Sequence, residues 1–376
     1  MVDKLEHQTS HALLMMPEDL TRRIPRGRLR FTTSAIRIRI NTMADKNTIR
    51  FSIIVPTYNS AGTLVKLLDS LAQSDADTET LVMDDASMDG TPELAAKYPV
   101  RYERLPVNSG PAEARNRGAA LAFGEWLVFA DADTIFAPDT VAQIRDIVDS
   151  ADADALVGSY TGTPANDGFV ARFKALWDYV TIDMTLIRPG QRLIPHTTWA
   201  PRPGVVRRTA FERIGGFDTR FRGADLEDME LGYRLVENGF RIYFVPELKI
   251  LHHYPDTLLR ELRPFARRCA VWIRMNRGRK KLDTAGEASP RQALGHLCGF
   301  AAPVFAVAGL LWPPAWIAAA GAIAGYAATN HLFLSMALER EGIVFAVKAL
   351  GMCWLRTVVS GFAVAYALAT LALGRK

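Results

Sequence analysis

Four carboxylates stand in pairs at the ends of short apolar runs. Asp131 and Asp133, in LVFADADTIFAPD (residues 127–139), follow a stretch that reads as a buried strand, and Asp84 and Asp85 close another, TETLVMDD. Asp131 and Asp133 flank one small residue, so in an extended chain both side chains point to the same side. Hard divalent cations such as Mg2+ and Mn2+ take oxygen ligands and are commonly held by one or two carboxylates together with substrate phosphates. A departing diphosphate needs such a cation, because its charge must be neutralised as the bond breaks. Taken alone, the triplet is open to three readings: a metal site, the start of a helix, or a solvated turn. A second Asp-Ala-Asp at 152–154 reads as a helix end on a solvated surface, so the triplet by itself decides nothing.

Other residues with chemical potential lie apart from these strand ends. Asp228, in LEDMEL, opens a predicted helix 95 positions after Asp133. A general base must sit opposite the leaving group and so must come from a different part of the chain than the leaving-group ligands. A helix N-terminus also favours its ionised form; an ordinary first-turn helix charge is the competing reading, with Glu227 a neighbour that tunes or orients a base and Glu230 a surface residue. Arg115 and Asn116, in EARNRG, sit on a helix ahead of the Asp-Ala-Asp strand, where a guanidinium can pair with Asp131, bind a phosphate, or act as a structural salt bridge. His252 and His253 follow a predicted strand, and one of them is a candidate third metal or diphosphate contact against the alternative of a structural histidine.

The elements that must position these residues alternate. RFSIIVP, TETLVMDD, VRYERLP and EWLVFADAD read as short strands; AGTLVKLLDSLAQS, TPELAAKY and GPAEARNRGAALAFG read as helices between them. Buried strands alternating with helices of this length predict βαβ units and a parallel sheet, and ligands of such sheets bind at the carboxyl ends of the strands. Each strand here ends in polar residues, at Thr57–Asn59, Asp84–Asp85 and Asp131–Asp133. Further on, GFVARFKALWDYVTIDM and LEDMELGYRLVENG read as helices, the latter stopped by Gly239. HTTWAPRPGVVRR reads as a loop and strand, and FRIYFVPELKILHHY as two short strands around Pro246.

Composition sets the limits. The 376 residues are 49% hydrophobic with a net charge of +5, but residues 260–281 alone carry nine Arg or Lys against one Glu, and the body of the chain is acidic. A basic cluster beside an apolar segment is attracted to anionic lipid and marks the cytoplasmic side. Nucleic-acid binding would want that charge on the folded domain, and none is expected. Cys269, Cys298 and Cys353 lie far apart, which predicts neither a disulfide framework nor a zinc site. From these patterns we expect a disordered basic extension over 1–48, with Met43 an alternative start, a catalytic domain over 49–259 and basic interfacial helices over 260–291. A transmembrane region follows over 292–373, with spans at about 292–312, 315–338 and 357–373. A charge inside a span is expensive, so Lys348 and Arg356 place 343–356 in the interface.

Four separated motifs occur in order: SIIVPTYNSAGTL, LVMDDASMDGT, NSGPAEARNRGAALAFGEWLVFADAD and GGFDTRFRGADLEDMELGYRLVENG. Together they resemble the family 2 glycosyltransferases over about residues 50–259. The resemblance implies an α/β GT-A fold, a Rossmann-like parallel to mixed sheet, here followed by transmembrane helices. It implies that Pro56, Tyr58, Asp84 and Asp85 line the nucleoside pocket, that Asp131 contacts ribose or metal, and that Asp133 ligates a Mg2+ or Mn2+ bridging the donor diphosphate. Asp228 would be the base of an in-line displacement with inversion. The family often has Thr or Ser where this chain has Leu226. Processive synthases of the family carry Gln-x-x-Arg-Trp; FARRCAVW (265–272) lacks both the Gln and the adjacent Arg–Trp, which favours single transfer.

The expectation is a multi-pass enzyme of the inner or plasma membrane with a cytoplasmic catalytic domain. It would move one sugar from a nucleotide-sugar, expected to be a UDP-sugar, to a lipid or lipid-linked acceptor in cell-envelope glycolipid or polysaccharide assembly. A membrane scaffold built on a dead transferase domain and a subunit of a processive synthase are the competing readings. A dinucleotide-dependent oxidoreductase is excluded, because PTYNSAG supplies no Gly-x-Gly-x-x-Gly after the first strand.

Overall fold

The computed structural model describes residues 48–72, 75–223, 225–277 and 289–373. The expectation for residues 1–47, and that for 278–288, lie outside the described residues. A sheet is built first. Strands β1 (Phe51–Thr57), β2 (Thr78–Asp84), β3 (Arg101–Arg104) and β4 (Trp126–Phe129) pair in parallel, with β1 between β2 and β4. Helices α1 (Ala61–Leu71), α2 (Thr91–Ala95) and α3 (Pro111–Leu121) make the crossovers, and the αβ alternation read from the sequence holds throughout this half. α1 shows the physical reason: Leu64, Leu67, Leu68 and Leu71 recur at helical spacing and all are buried.

Past β4 the sheet turns mixed. β5 (Thr134–Phe136), α4 (Thr140–Ser150), β6 (Ala155–Pro164), α5 (Phe169–Asp178), β7 (Ile194–His196), β8 (Gly204–Arg207), α6 (Arg208–Arg213), α7 (Glu227–Glu237) and β9 (Ile242–His252) complete it. The order is β3-β2-β1-β4-β8-β6-β9-β5, with β7 also on β9. β9 is one strand where the sequence predicts two. Its pairing with β6 nevertheless breaks around Pro246, joining residues 242–244 and then 249–250; a proline has no N–H to donate to the ladder. Apolar clusters cover both faces of the sheet. In one of them Phe129 lies 5.3–5.5 Å from the rings of Trp199, Phe211 and Phe217, fixing β4 two residues before Asp131.

The C-terminal helices are α8 (Leu258–Met275), α9 (Pro290–Ala308), α10 (Ala315–Thr329), α11 (His331–Glu341) and α12 (Ile343–Ala372). A third apolar cluster ties them to the sheet domain: Phe173, Leu176 and Trp177 of α5 pack with Phe333, Phe345, Met352 and Cys353. The boundaries differ from expectation in two places. The stretch expected as one span over 315–338 is two helices, bent by 69° at Asn330. Residues 343–372 form one unbroken helix rather than an interfacial piece and a separate span. The reason is visible at Arg356, which is buried against Glu261 of α8 and over the Phe265 ring at 3.9 Å, so its charge is matched by protein and does not force a break. Among the described residues α12 is the one helix that is by itself long and apolar enough to cross a membrane.

Candidate active site

Parallel pairing brings the carboxyl ends of β2, β1 and β4 to one edge of the sheet, and with them Asp84–Asp85, Pro56–Tyr58 and Asp131–Asp133. Asp84 is fully buried and turned inward. Its carboxylate accepts from the Ser87 N–H at 2.8 Å and from the Tyr102 hydroxyl, and burial together with that carboxylate pushes the Tyr102 phenol up to about 12. Asp85 accepts from two consecutive backbone N–H groups, Ser109 at 2.7 Å and Gly110 at 2.8 Å. Gly110 has φ +92°, and a Cβ there would lie 2.4 Å from the Arg222 carbonyl, so the tight approach of these loops requires glycine. Asp85 therefore anchors the loop that launches α3. Pro56 is part-buried on β1, and Tyr58, 45% exposed, stands at the rim.

Arg115, on α3, is 3% exposed. One terminal nitrogen donates to Asp131 Oδ1 and the other to Glu227 Oε1, each at 2.8 Å, and the guanidinium lies 5.3 Å from the Phe217 ring centroid. Both terminal nitrogens are thus paired with carboxylates, one of them the Asp131 that the sequence offered as a partner. Asn116 exchanges two hydrogen bonds with the backbone of Phe217, holding the Gly-Gly-Phe loop to the same helix. Glu227 is itself buried, and its other oxygen accepts from the Asp225 N–H at 2.9 Å. This places the first turn of α7, and Asp228 with it, across from the strand end. Asp228 is half-buried and accepts from the Met229 N–H at 2.7 Å. Burial, then the neighbouring Glu227 charge, push its carboxyl up to about 7. Leu226 occupies the N-cap position without a capping side chain and is buried.

The two acids of the triplet differ in surroundings. Burial raises Asp131 above the ordinary carboxylate range, opposed in part by Arg115. Burial also acts upward on Asp133, but His252 outweighs it and holds that carboxyl below the usual range. The Nε2 of His252 is 3.3 Å from Asp133 Oδ1 because β5 pairs with the end of β9, Thr134 opposite His252. His253 contributes its backbone N–H to the Asp133 carbonyl at 2.7 Å. The His252 ring lies 5.0 Å from Tyr160 and 4.4 Å from Tyr254. These two tyrosines were not singled out from the sequence, where neither carries a motif. Among the described residues no three His, Cys, Asp or Glu side chains are grouped to hold a metal ion. The donor set does suit an oxygen-loving cation that takes other ligands from a diphosphate: the Asp133 side chain is 41% exposed, and His252 is the one side chain paired with it among the described residues.

Residues 52–215 match the family described as Glycosyl transferase family 2. The chain carries a family 2 glycosyltransferase domain. Its transferase domain is 39% identical over 110 residues to the succinoglycan biosynthesis protein ExoO of Rhizobium meliloti, covering 28% of this chain and 32% of that one. It is 32% identical over 142 residues to the poly(ribitol-phosphate) beta-N-acetylglucosaminyltransferase TarS of Staphylococcus aureus, covering 36% and 25%. An N-acetylglucosaminyl-diphospho-decaprenol L-rhamnosyltransferase of Mycobacterium tuberculosis is 27% identical over 240 residues, covering 54% and 75%. The chain thus spans about a third of ExoO and a quarter of TarS. In fold, the transferase domain and its helices resemble a mannosyltransferase of Pyrobaculum calidifontis, solved with GDP-Man and Mn2+, at a TM-score of 0.50 and 20% identity over 84% of this chain and 87% of that one. The fold class is therefore GT-A: a mixed α/β sheet followed by C-terminal helices.

Proposed function

We propose that the chain transfers a single sugar from a nucleotide-sugar, a UDP-sugar by the reading of the sequence, to an acceptor hydroxyl with inversion at the anomeric carbon. The observation that supports this reading is the bridge from Asp131 through Arg115 to Glu227, the residue before Asp228. A base near neutral pKa accepts a hydroxyl proton efficiently at physiological pH. Asp228 takes the proton of the acceptor hydroxyl, the oxygen bonds to the anomeric carbon, and the bond from that carbon to the diphosphate breaks on the opposite side. Pro56, Tyr58 and Asp85 border the space for the nucleoside; Asp84, committed to Ser87 and Tyr102, shapes that edge from beneath. Asp133, with Asp131 and His252 beside it, would hold Mg2+ or Mn2+, and an ion there supplies charge neutralisation of the leaving diphosphate.

The acceptor we propose is a lipid or lipid-linked molecule at the cytosolic face, in cell-envelope glycolipid or polysaccharide assembly. The basic helix α8 adjoins the transferase domain, Arg267 pairing with Asp225 beside the base helix. The rhamnosyltransferase relative is named for a diphospho-decaprenol substrate, and TarS for a poly(ribitol phosphate). The test is nucleotide release by detergent-solubilised protein with a panel of nucleotide-sugars, Mn2+ or Mg2+, and membrane lipid extract. If no donor turns over and Asp133→Ala changes neither metal nor nucleotide binding, the enzymatic reading fails.

A further inference from the structure

Helices α9 and α10 form a hairpin whose two ends lie together. Arg291, at the start of α9, donates to the Thr329 carbonyl at 2.6 Å at the end of α10, and Gly295 approaches Thr329 so closely that a Cβ would meet its hydroxyl at 2.7 Å. This base is tied to the transferase domain, because Cys298 and Tyr326 join the cluster that contains Phe173 and Trp177 of α5. Just beyond it α9 packs on α12, where Trp354 donates to the Gly299 carbonyl at 3.0 Å and the Phe300 ring lies against Gly361; further out the surface of the hairpin is largely exposed. From residue 299 to 325 there is no charged residue and no His, Asn, Gln, Ser or Thr. The tip, Leu310–Pro314, is bare, with Leu311 93% exposed.

Two properties of this hairpin suit it to dip into hydrocarbon and return. Its legs of 19 and 15 residues measure about 28 and 22 Å at ~1.5 Å per residue, short of the ~30 Å apolar thickness of a bilayer. A crossing hairpin would put its turn in water, yet this turn is wholly apolar. Its backbone is also prepared for a place without water. The N–H groups of Gly309, Leu310, Leu311, Trp312, Ala315, Trp316 and Ile317 all donate to carbonyls within the hairpin, and Pro313 and Pro314 have none to satisfy. In hydrocarbon every backbone donor must find its partner internally.

The long helix α12 gives an independent indication. It runs alongside α8 in the same direction, with Glu261 paired to Arg356 and Arg274 3.2 Å from Thr370. α8 carries Arg260, Arg263, Arg267, Arg268 and Arg274. If α12 crossed the bilayer, these arginines would have to accompany it into hydrocarbon, where charge is strongly disfavoured.

We infer that the α9–α10 hairpin inserts into one leaflet only, while α12 stays with the arginines of α8 at the interface. The α9–α10 hairpin is a re-entrant wedge ending among acyl chains, and its base and the C-terminus stay on the side of the transferase domain. The inference rests on the membrane-associated part of the function proposed above, and it replaces the multi-pass arrangement expected from the sequence.

The test uses the full chain in sealed vesicles. With Cys269, Cys298 and Cys353 replaced by alanine, Leu311→Cys should react with a membrane-impermeant maleimide from neither face, at least about tenfold more slowly than after detergent is added, as expected for a thiol held in hydrocarbon. A tag appended after Lys376 in the otherwise native chain should be digested by protease wherever the transferase domain is digested, which keeps the inference testable if the cysteine variant does not fold. Labelling of residue 311 from the opposite face, or protection of the tag while the domain is cut, overturns single-leaflet insertion. Complete release of the protein by carbonate overturns it together with the membrane reading. Failure of sugar transfer by protein that stays membrane-bound counts against the catalytic proposal alone.

Discussion

Arg115 and Glu227, 112 positions apart in sequence, are joined by a 2.8 Å hydrogen-bonded ion pair with both side chains 4% exposed. The same guanidinium holds Asp131 at 2.8 Å, so one side chain links the end of β4 to the helix carrying the candidate base.

Removing that link leaves a buried carboxylate without its partner. Arg115→Gln should destabilise the transferase domain by about 3–5 kcal/mol, the range for breaking one side of a buried pair, measured by denaturation in detergent. Arg115→Lys keeps the charge but loses the planar fork. It should preserve more stability than Gln and still lose turnover out of proportion to donor binding, because Asp131 and Glu227 can no longer be held at once. Equal stability of Gln and wild type would refute the bridge.

Asp228 makes a prediction about pH. Its carboxyl is pushed from 3.8 up to about 7 by burial and by Glu227, so the fraction able to accept a proton rises with pH, and kcat/KM should climb through a limb near 7. The stability effect has the opposite direction. The folded state binds this proton more tightly than the unfolded one, so the contribution is present below about 4 and lost as pH rises through about 7. Asp228→Asn should therefore abolish transfer, keep donor binding, and at about pH 8 be more stable to unfolding than wild type by on the order of 1 kcal/mol. Loss of donor binding along with transfer would assign this carboxylate a structural role.

At the strand end, Asp133 and His252 share a charge interaction that raises the histidine despite its burial. That stabilising contribution is full below about 6.5 and fades as pH rises through the folded value. A cation at Asp133 has the reverse preference, since it displaces that proton. Calorimetric titration with Mn2+ and UDP should show tighter binding at about pH 8 than at about pH 6. Asp133→Ala should weaken it by more than the roughly 10–100-fold typical of losing an outer partner of a metal ligand. Without metal, Asp133→Asn should lower the His252 titration seen by NMR. Metal-independent UDP binding of unchanged strength would count against the metal.

How legible this was from the sequence depended on range. β1, β2 and β4 are short apolar runs that end in polar residues, acids after β2 and β4, and α1 buries every helically spaced leucine; those signals are local and survive in the structure. β5 has three residues and no pattern, yet it sets His252 beside Asp133 through its pairing with β9. Glu227 looked like a neighbour of Asp228, and its partner on α3 could not be read from spacing. Asp84 and Asp85 look alike in sequence, but one hydrogen-bonds to Ser87 and Tyr102 and the other pins the loop before α3. The bend at Asn330 has neither proline nor charge to mark it, and polar groups rather than hydropathy fix it: the Asn330 side chain donates to the Tyr326 carbonyl at 2.9 Å. Arg356 misled because hydropathy counts a charge without its distant partner.

That partner supports a last prediction. Glu261 of α8 and Arg356 of α12 form an ion pair with both side chains under 5% exposed, next to Phe265 and Trp177. Arg356→Met alone strands a buried carboxylate and should loosen α12 from α8, at a cost of about 3–5 kcal/mol. Glu261→Met alone should do the same from the other side. The double variant removes both desolvated charges and fills the space with apolar atoms, so it should cost less than either single variant, a strongly non-additive result in a double-mutant cycle. Proteolysis in detergent reads the outcome directly: cleavage near residue 342 should quicken in each single variant and return towards wild type in the double. Additive losses would mean that the two side chains are stabilised by separate surroundings and that the pair does not hold the helices together.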